Sequence, residues 1–129
     1  MYSGSRSDFP VVVVISDDAI FRETLSKLCQ SVGLTVLAHH SLAQFLATKL
    51  PDAPTCLVID VSSPSLSRAN LHAQLTRADV QIPIVPVTGV GAVDILTRRI
   101  RDQSLLATIE IALQMDRARR EASKRAAPQ

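Results

Sequence analysis

Tryptophan is absent from this chain of 129 residues, and one tyrosine and three phenylalanines are its whole aromatic complement. The core must therefore be built from Val, Ile, Leu and Ala. Sheet aromatics of the kind that hold nucleic-acid bases are also missing. Glycine is scarce, with four in the chain and no glycine-rich loop behind the first apolar run. Nor is there a motif that presents a Ser or Cys nucleophile. Both absences argue against a small α/β nucleotide-binding enzyme. Cysteine occurs twice, at Cys29 and Cys56, both inside apolar segments. Such thiols read as reduced and buried, the state usual in the cytoplasm. No apolar run approaches the roughly 20 residues that span a bilayer. Met1 to Pro10 is polar and lacks a signal-peptide profile. A cytoplasmic protein without membrane association is expected. Charge is nearly balanced at +2, so nucleic acid is not expected as a partner.

What is present is an alternation of strand and helix signals over one domain's length. Pro10 to Ile15 is a β-branched run that stops at Ser16-Asp17-Asp18. Phe21, Leu25, Leu28 and Val32 then recur at helical spacing before Gly33, which predicts a helix from Ala19 to Val32. Leu34 to Ala38 reads as a second strand, and Ser41 opens a helix carrying Leu42, Phe45, Leu46 and Leu50. Cys56-Leu57-Val58-Ile59-Asp60 is a short apolar run ending in a carboxylate, the pattern of a strand buried on both faces. A helix from about Leu66 to Ala78 and a strand from Pro83 to Thr88 follow. The alternation predicts a doubly wound α/β fold with a mostly parallel sheet. Right-handed crossovers then set the first and third strands side by side, so that Asp17, Asp18 and Asp60 share one sheet edge.

With the acids after strand one, Asp60 closing strand three, Pro64 four residues on, Ser67, and Thr88-Gly89 ending strand four, the sequence resembles the receiver domain of two-component response regulators. The likeness runs from about Val11 to Leu113. It implies the receiver-like (flavodoxin-like) fold and phosphorylation of Asp60 by a sensor histidine kinase or a phosphotransfer protein. A bound Mg2+ is implied as well, held by Asp17, Asp18, Asp60 and the Ser62 carbonyl, since a carboxylate attacking an anionic donor needs its charge neutralised. By the same resemblance Thr88 bonds a phosphoryl oxygen, and Arg98 stands where the family has lysine.

Three departures from the family pattern stand out. Aligning through Arg22 and Leu25 puts Ser16 and Asp17, rather than Asp17 and Asp18, at the two acid positions, and both registers remain open. Arg98 keeps a positive charge but is longer and planar, and Arg99 takes the place of a proline. Only Gly89-Val90-Gly91 separates Thr88 from Ala92, where the family has a loop and a whole crossover helix. Parallel neighbours need a crossover of about a dozen residues. Strand five is therefore expected to fold back antiparallel, or to be exchanged together with the last helix in a homodimer.

The last segment, Asp102 to about Arg125, carries Leu105, Leu106, Ile109, Ala112 and Leu113 on one stripe and then turns charged. A core over 10–116 is expected, with residues 1–9 as a flexible start and 117–129 as a solvated extension. Arg117, Arg119, Arg120, Lys124 and Arg125 are assigned to that extension. Adjacent histidines His39 and His40 point to opposite sides of a strand, which argues against a shared metal. The functional expectation is a single-domain receiver signalling through protein contacts. The alternative is a dimeric pseudo-receiver that never takes phosphate.

Overall fold

The computed structural model describes residues 9–60, 68–87 and 99–126, with side chains over 9–60, 71–87 and 105–123. Four strands, β1 (Val11–Ile15), β2 (Thr35–His39), β3 (Thr55–Asp60) and β4 (Ile84–Val87), form one sheet in the order β2-β1-β3-β4. All three pairings are parallel, with Val11 opposite Thr55 and Ile15 opposite Ile59. The helices are α1 (Ala19–Gln30), α2 (Leu42–Leu46), α3 (Arg68–Arg77) and α4 (Arg99–Ala126).

The valine run of β1 needs no polar alternation because both of its faces are covered. Val11, Val13 and Ile15 join Leu57 and Ile59 under Leu42, Phe45, Leu71 and Leu75 of α2 and α3. Val12 and Val14 join Cys56, Val58 and Val85 under Phe21, Leu25 and Cys29 of α1 and Ile109, Ala112 and Leu113 of α4. The two-residue period of the strand thus splits one apolar run between two cores.

Several element ends differ from the sequence expectation. α1 stops at Gln30 in a turn through Gly33, whose φ of +86° suits glycine, and Val32 is left exposed. α2 is a single short helix, so Leu50 is not carried on it and is exposed. β2 lies at the sheet edge and is mostly exposed. α4 begins at Arg99, so the Arg99 expected to end strand five is helical.

Strand five, the hinge at Gly89-Val90-Gly91 and Thr88 lie outside the described residues. The final helix does not: α4 docks on the sheet of its own chain through Ile109, Ala112 and Leu113. The exchange expectation turns on strand five and therefore falls on residues outside those described.

The charged end of α4 also departs from the solvated extension. Asp116 is fully buried. Its Oδ2 accepts the Thr55 backbone N–H (2.8 Å) and Arg120 Nε (2.9 Å). Its Oδ1 accepts Arg119 Nε (2.9 Å) and Nη2 (2.7 Å). Arg120 Nη2 donates onward to the Pro51 carbonyl at 3.1 Å. A buried carboxylate paired in this way ties α4 to the start of β3 and carries the ordered core past residue 116.

Candidate functional site

Parallel β1 and β3 in register bring their carboxyl ends together, the edge where such sheets place ligands. Asp60, the last residue of β3, is 7% exposed, and Ser16, the residue after β1, is fully buried beside it. The Ser16 hydroxyl donates to Asp60 Oδ2 at 3.0 Å. That hydroxyl oxygen in turn accepts the Asp18 backbone N–H at 3.0 Å. The Ser16 backbone is held as well: its N–H donates to the His39 carbonyl (3.2 Å), and its carbonyl accepts Arg22 Nη1 (2.7 Å). A short chain of hydrogen bonds therefore fixes the Asp60 carboxylate from the β1 side.

The acids that follow β1 have separate surroundings. Asp18 is the N-cap of α1, and its Oδ1 accepts the backbone N–H groups of Ile20 (2.9 Å) and Phe21 (3.3 Å). Its side chain is thereby occupied with two donors that the helix start leaves unpaired. Asp17 is exposed at the same sheet edge, one residue after Ser16. Of the residues at the expected acid positions, the structure brings the Ser16 hydroxyl onto Asp60, and Asp17 follows Ser16 in the chain at the same sheet edge. The structure places Asp18 at the edge but turns it to the helix. Ser62, Thr88 and Arg98, with Pro64 and Ser67, lie outside the described residues.

The donor set is oxygen-only, and Mg2+ is bound in such sites by one or two carboxylates with water completing the shell. Asp60 and Asp17 fit that requirement. Among the described residues no group of three or more His, Cys, Asp or Glu side chains is placed to hold a metal. The histidines are elsewhere. His39 Nδ1 lies 3.3 Å from Gln44 Oε1, which also accepts the His40 backbone N–H, and the His39 ring tilts against Phe45.

Two side chains of this site carry roles that sequence reasoning did not give them. Ser16 was legible as an acid position but not as a donor to Asp60. Arg22 was used only for alignment, although its place one turn into α1, four residues after the N-cap, is the signal that it can reach back to the end of β1.

No family model matches the chain. Among curated proteins, it is 39% identical over 126 residues to nodulation protein W of Bradyrhizobium diazoefficiens, covering 88% of this chain and 56% of that one. To the response regulator protein TodT of Pseudomonas putida it is 33% identical over 117 residues, covering 81% of this chain and 52% of that one. The chain spans about half the length of these relatives. In the nodulation protein alignment, 126 positions take up 88% of 129 residues, so about a dozen positions have no counterpart here. A helical crossover has that length. Among solved structures, the response regulator StyR superposes with a TM-score of 0.73 at 33% identity, over 89% of this chain and 64% of that one. With a parallel sheet ending in Asp60 and response regulators as relatives in both sequence and structure, this chain belongs to the response-regulator family as a receiver domain.

Proposed function

We propose that the chain is a phosphoacceptor in a two-component relay, with Asp60 as the residue that takes the phosphoryl group. The observation that supports this reading is the hydrogen-bonded carboxylate of Asp60, 7% exposed at the carboxyl end of β3. In the step envisaged, an Asp60 carboxylate oxygen bonds to phosphorus as the bond from phosphorus to the donor's imidazole nitrogen breaks. Asp17 and Asp60 are the residues that would hold Mg2+, and a cation bound there would supply charge neutralisation for the attack of the carboxylate on an anionic donor. Asp18 caps α1 rather than joining them. Thr88 and Arg98 take the family's roles toward the phosphoryl group, and the Ser62 carbonyl completes the metal shell. The partners are a sensor histidine kinase or a phosphotransfer protein, and the output is a protein contact.

Incubation with acetyl phosphate and Mg2+, read by mass spectrometry, tests it. Wild type should gain one phosphoryl group and Asp60→Asn none. Labelling that survives the substitution would place the acceptor elsewhere.

One observation favours a second reading, a pseudo-receiver. The Ser16 hydroxyl supplies Asp60 with a neutral donor at 3.0 Å where a metal-binding acid would stand. Wild-type protein that stays unlabelled with both acetyl phosphate and phosphoramidate, at any Mg2+ concentration, would select that reading.

A further inference from the structure

Ser16 uses every polar group it has. Its backbone N–H donates to the His39 carbonyl at 3.2 Å, its hydroxyl donates to Asp60 Oδ2 at 3.0 Å and accepts the Asp18 N–H at 3.0 Å, and its carbonyl accepts Arg22 Nη1 at 2.7 Å. The contact to Arg22 is the shortest of these and comes from a cation, the pairing that makes a strong hydrogen bond. Ser16 is fully buried, so its carbonyl, deprived of that donor, has to turn toward another or stay unpaired.

The far end of the contact is fixed independently. Asp18 caps α1, and the Arg22 N–H donates to the Asp18 carbonyl at 3.0 Å, closing the first turn of that helix. From there the half-buried Arg22 side chain reaches back to the end of β1. Helix start, guanidinium, Ser16 and Asp60 thus form one series of contacts with the carboxylate at its end. The terminal torsion of an aspartate side chain is broad, so a fixed partner decides where its oxygens point.

We infer that Arg22 is a positioning residue for the phosphorylation of Asp60, a role that rests on the phosphoacceptor reading and is exerted through Ser16. With the guanidinium in place, the Ser16 backbone is held at both its N–H and its carbonyl, and the hydroxyl stays between the Asp18 amide and Asp60. An Asp60 oxygen is then aimed to bond to phosphorus as the phosphorus–oxygen bond of a donor such as acetyl phosphate breaks and acetate leaves with the electron pair. Without it the hydroxyl visits other rotamers, the carboxylate is misdirected, and attack slows; a misplacement of about 1 Å is enough to cost about 100-fold.

Labelling of the full chain by acetyl phosphate with Mg2+, followed over time by mass spectrometry, tests this together with amide hydrogen exchange. Arg22→Ala should lower the labelling rate at saturating donor by about tenfold and leave the half-saturating donor concentration within about twofold. Exchange of the Asp18 amide, which donates to the Ser16 hydroxyl, should speed by at least about tenfold while amides inside α1 exchange as in wild type. Arg22→Lys keeps a charged donor and should recover most of the rate. In a Ser16→Ala background, Arg22→Ala should slow labelling by no more than about twofold further, because the two changes break one series of contacts. A residue that merely supported the fold would lower the urea midpoint and leave the rate per folded molecule as it is. A wild-type rate in Arg22→Ala, or an undiminished penalty in the Ser16→Ala background, would overturn the inference. A wild type that takes no label sinks the phosphoacceptor reading alone; Arg22 is then judged by the Asp18 amide, whose unchanged exchange in Arg22→Ala refutes the positioning of the Ser16 hydroxyl and whose faster exchange upholds it.

Discussion

Replacing Asp116 by alanine should cost about 3 kcal/mol of stability. The residue is fully buried, and its carboxylate accepts four hydrogen bonds, one from the backbone of Thr55 and three from two arginines. Thr55 is itself fully buried, so its N–H cannot turn to water when the acceptor is removed. A buried donor that loses a charged acceptor accounts for about 1.5–3 kcal/mol. The arginine contribution is smaller. The Arg119 and Arg120 side chains are 36% and 23% exposed, so both can regain water, and about 0.5 kcal/mol for each pair is a fair discount from a buried ion pair. At about 2.1 cal/mol/K of unfolding entropy per residue, 3 kcal/mol lowers the midpoint of this chain by about 10 °C. Asp116→Asn keeps an oxygen for Thr55 and should lose about half as much. Urea unfolding followed by circular dichroism measures both variants, and hydrogen exchange at Thr55 localises the effect. A loss below about 1 kcal/mol for the alanine variant, or an unchanged Thr55 exchange rate, would refute the reasoning, because either outcome means that the carboxylate does not hold the start of β3.

Further consequences concern the edge of the sheet and the thiols. Ser16→Asp should raise Mg2+ affinity by about tenfold and speed labelling, while lowering stability in the absence of metal because two carboxylates then meet at the Ser16–Asp60 contact; calorimetry with and without Mg2+ reads both effects, and unchanged affinity would count against a metal at this edge. Asp18→Ala should cost about 1 kcal/mol through loss of the α1 cap and leave Mg2+ affinity unaltered. Asp17→Ala should do the opposite, and a loss of Mg2+ affinity in both variants would restore Asp17 and Asp18 as the functional pair. Burial raises the thiol of Cys29 from the ordinary 9.0 to about 11 and, with Cys29 and Asp116 adding to it, that of Cys56 to about 12. The protonated thiols therefore contribute stability that is complete below pH 9 and is lost as the pH climbs toward 11 and 12; urea midpoints that do not fall over this range in wild type, relative to a Cys29→Ala, Cys56→Ala variant, would contradict it.

The fold was legible because the strands are unusually plain. A run such as Val11 to Ile15 can only be a strand covered on both faces, and the order of such runs with helices between them leaves few topologies. Element ends were less legible for a local reason. Val32 continues the apolar spacing of α1, yet the helix ends at Gln30, because the turn through Gly33, three residues later, decides the boundary and the spacing does not. At the site, the position of Asp60 follows from the strand pattern, but the division of labour among Ser16, Asp17 and Asp18 does not. A capping acid and a metal-binding acid look alike in sequence, and only the backbone geometry after β1, which turns the Asp18 carboxylate onto Ile20 and Phe21, separates them. Asp116 was hidden by a reasonable prior. An acid beside several arginines near a chain end is ordinarily a solvated face, and the sign against it was its phase: Asp116 falls seven residues after Ile109 and three after Leu113, on the buried stripe itself. An acid at that phase, followed at three and four residues by arginine, has to bring its own counter-charges into the core.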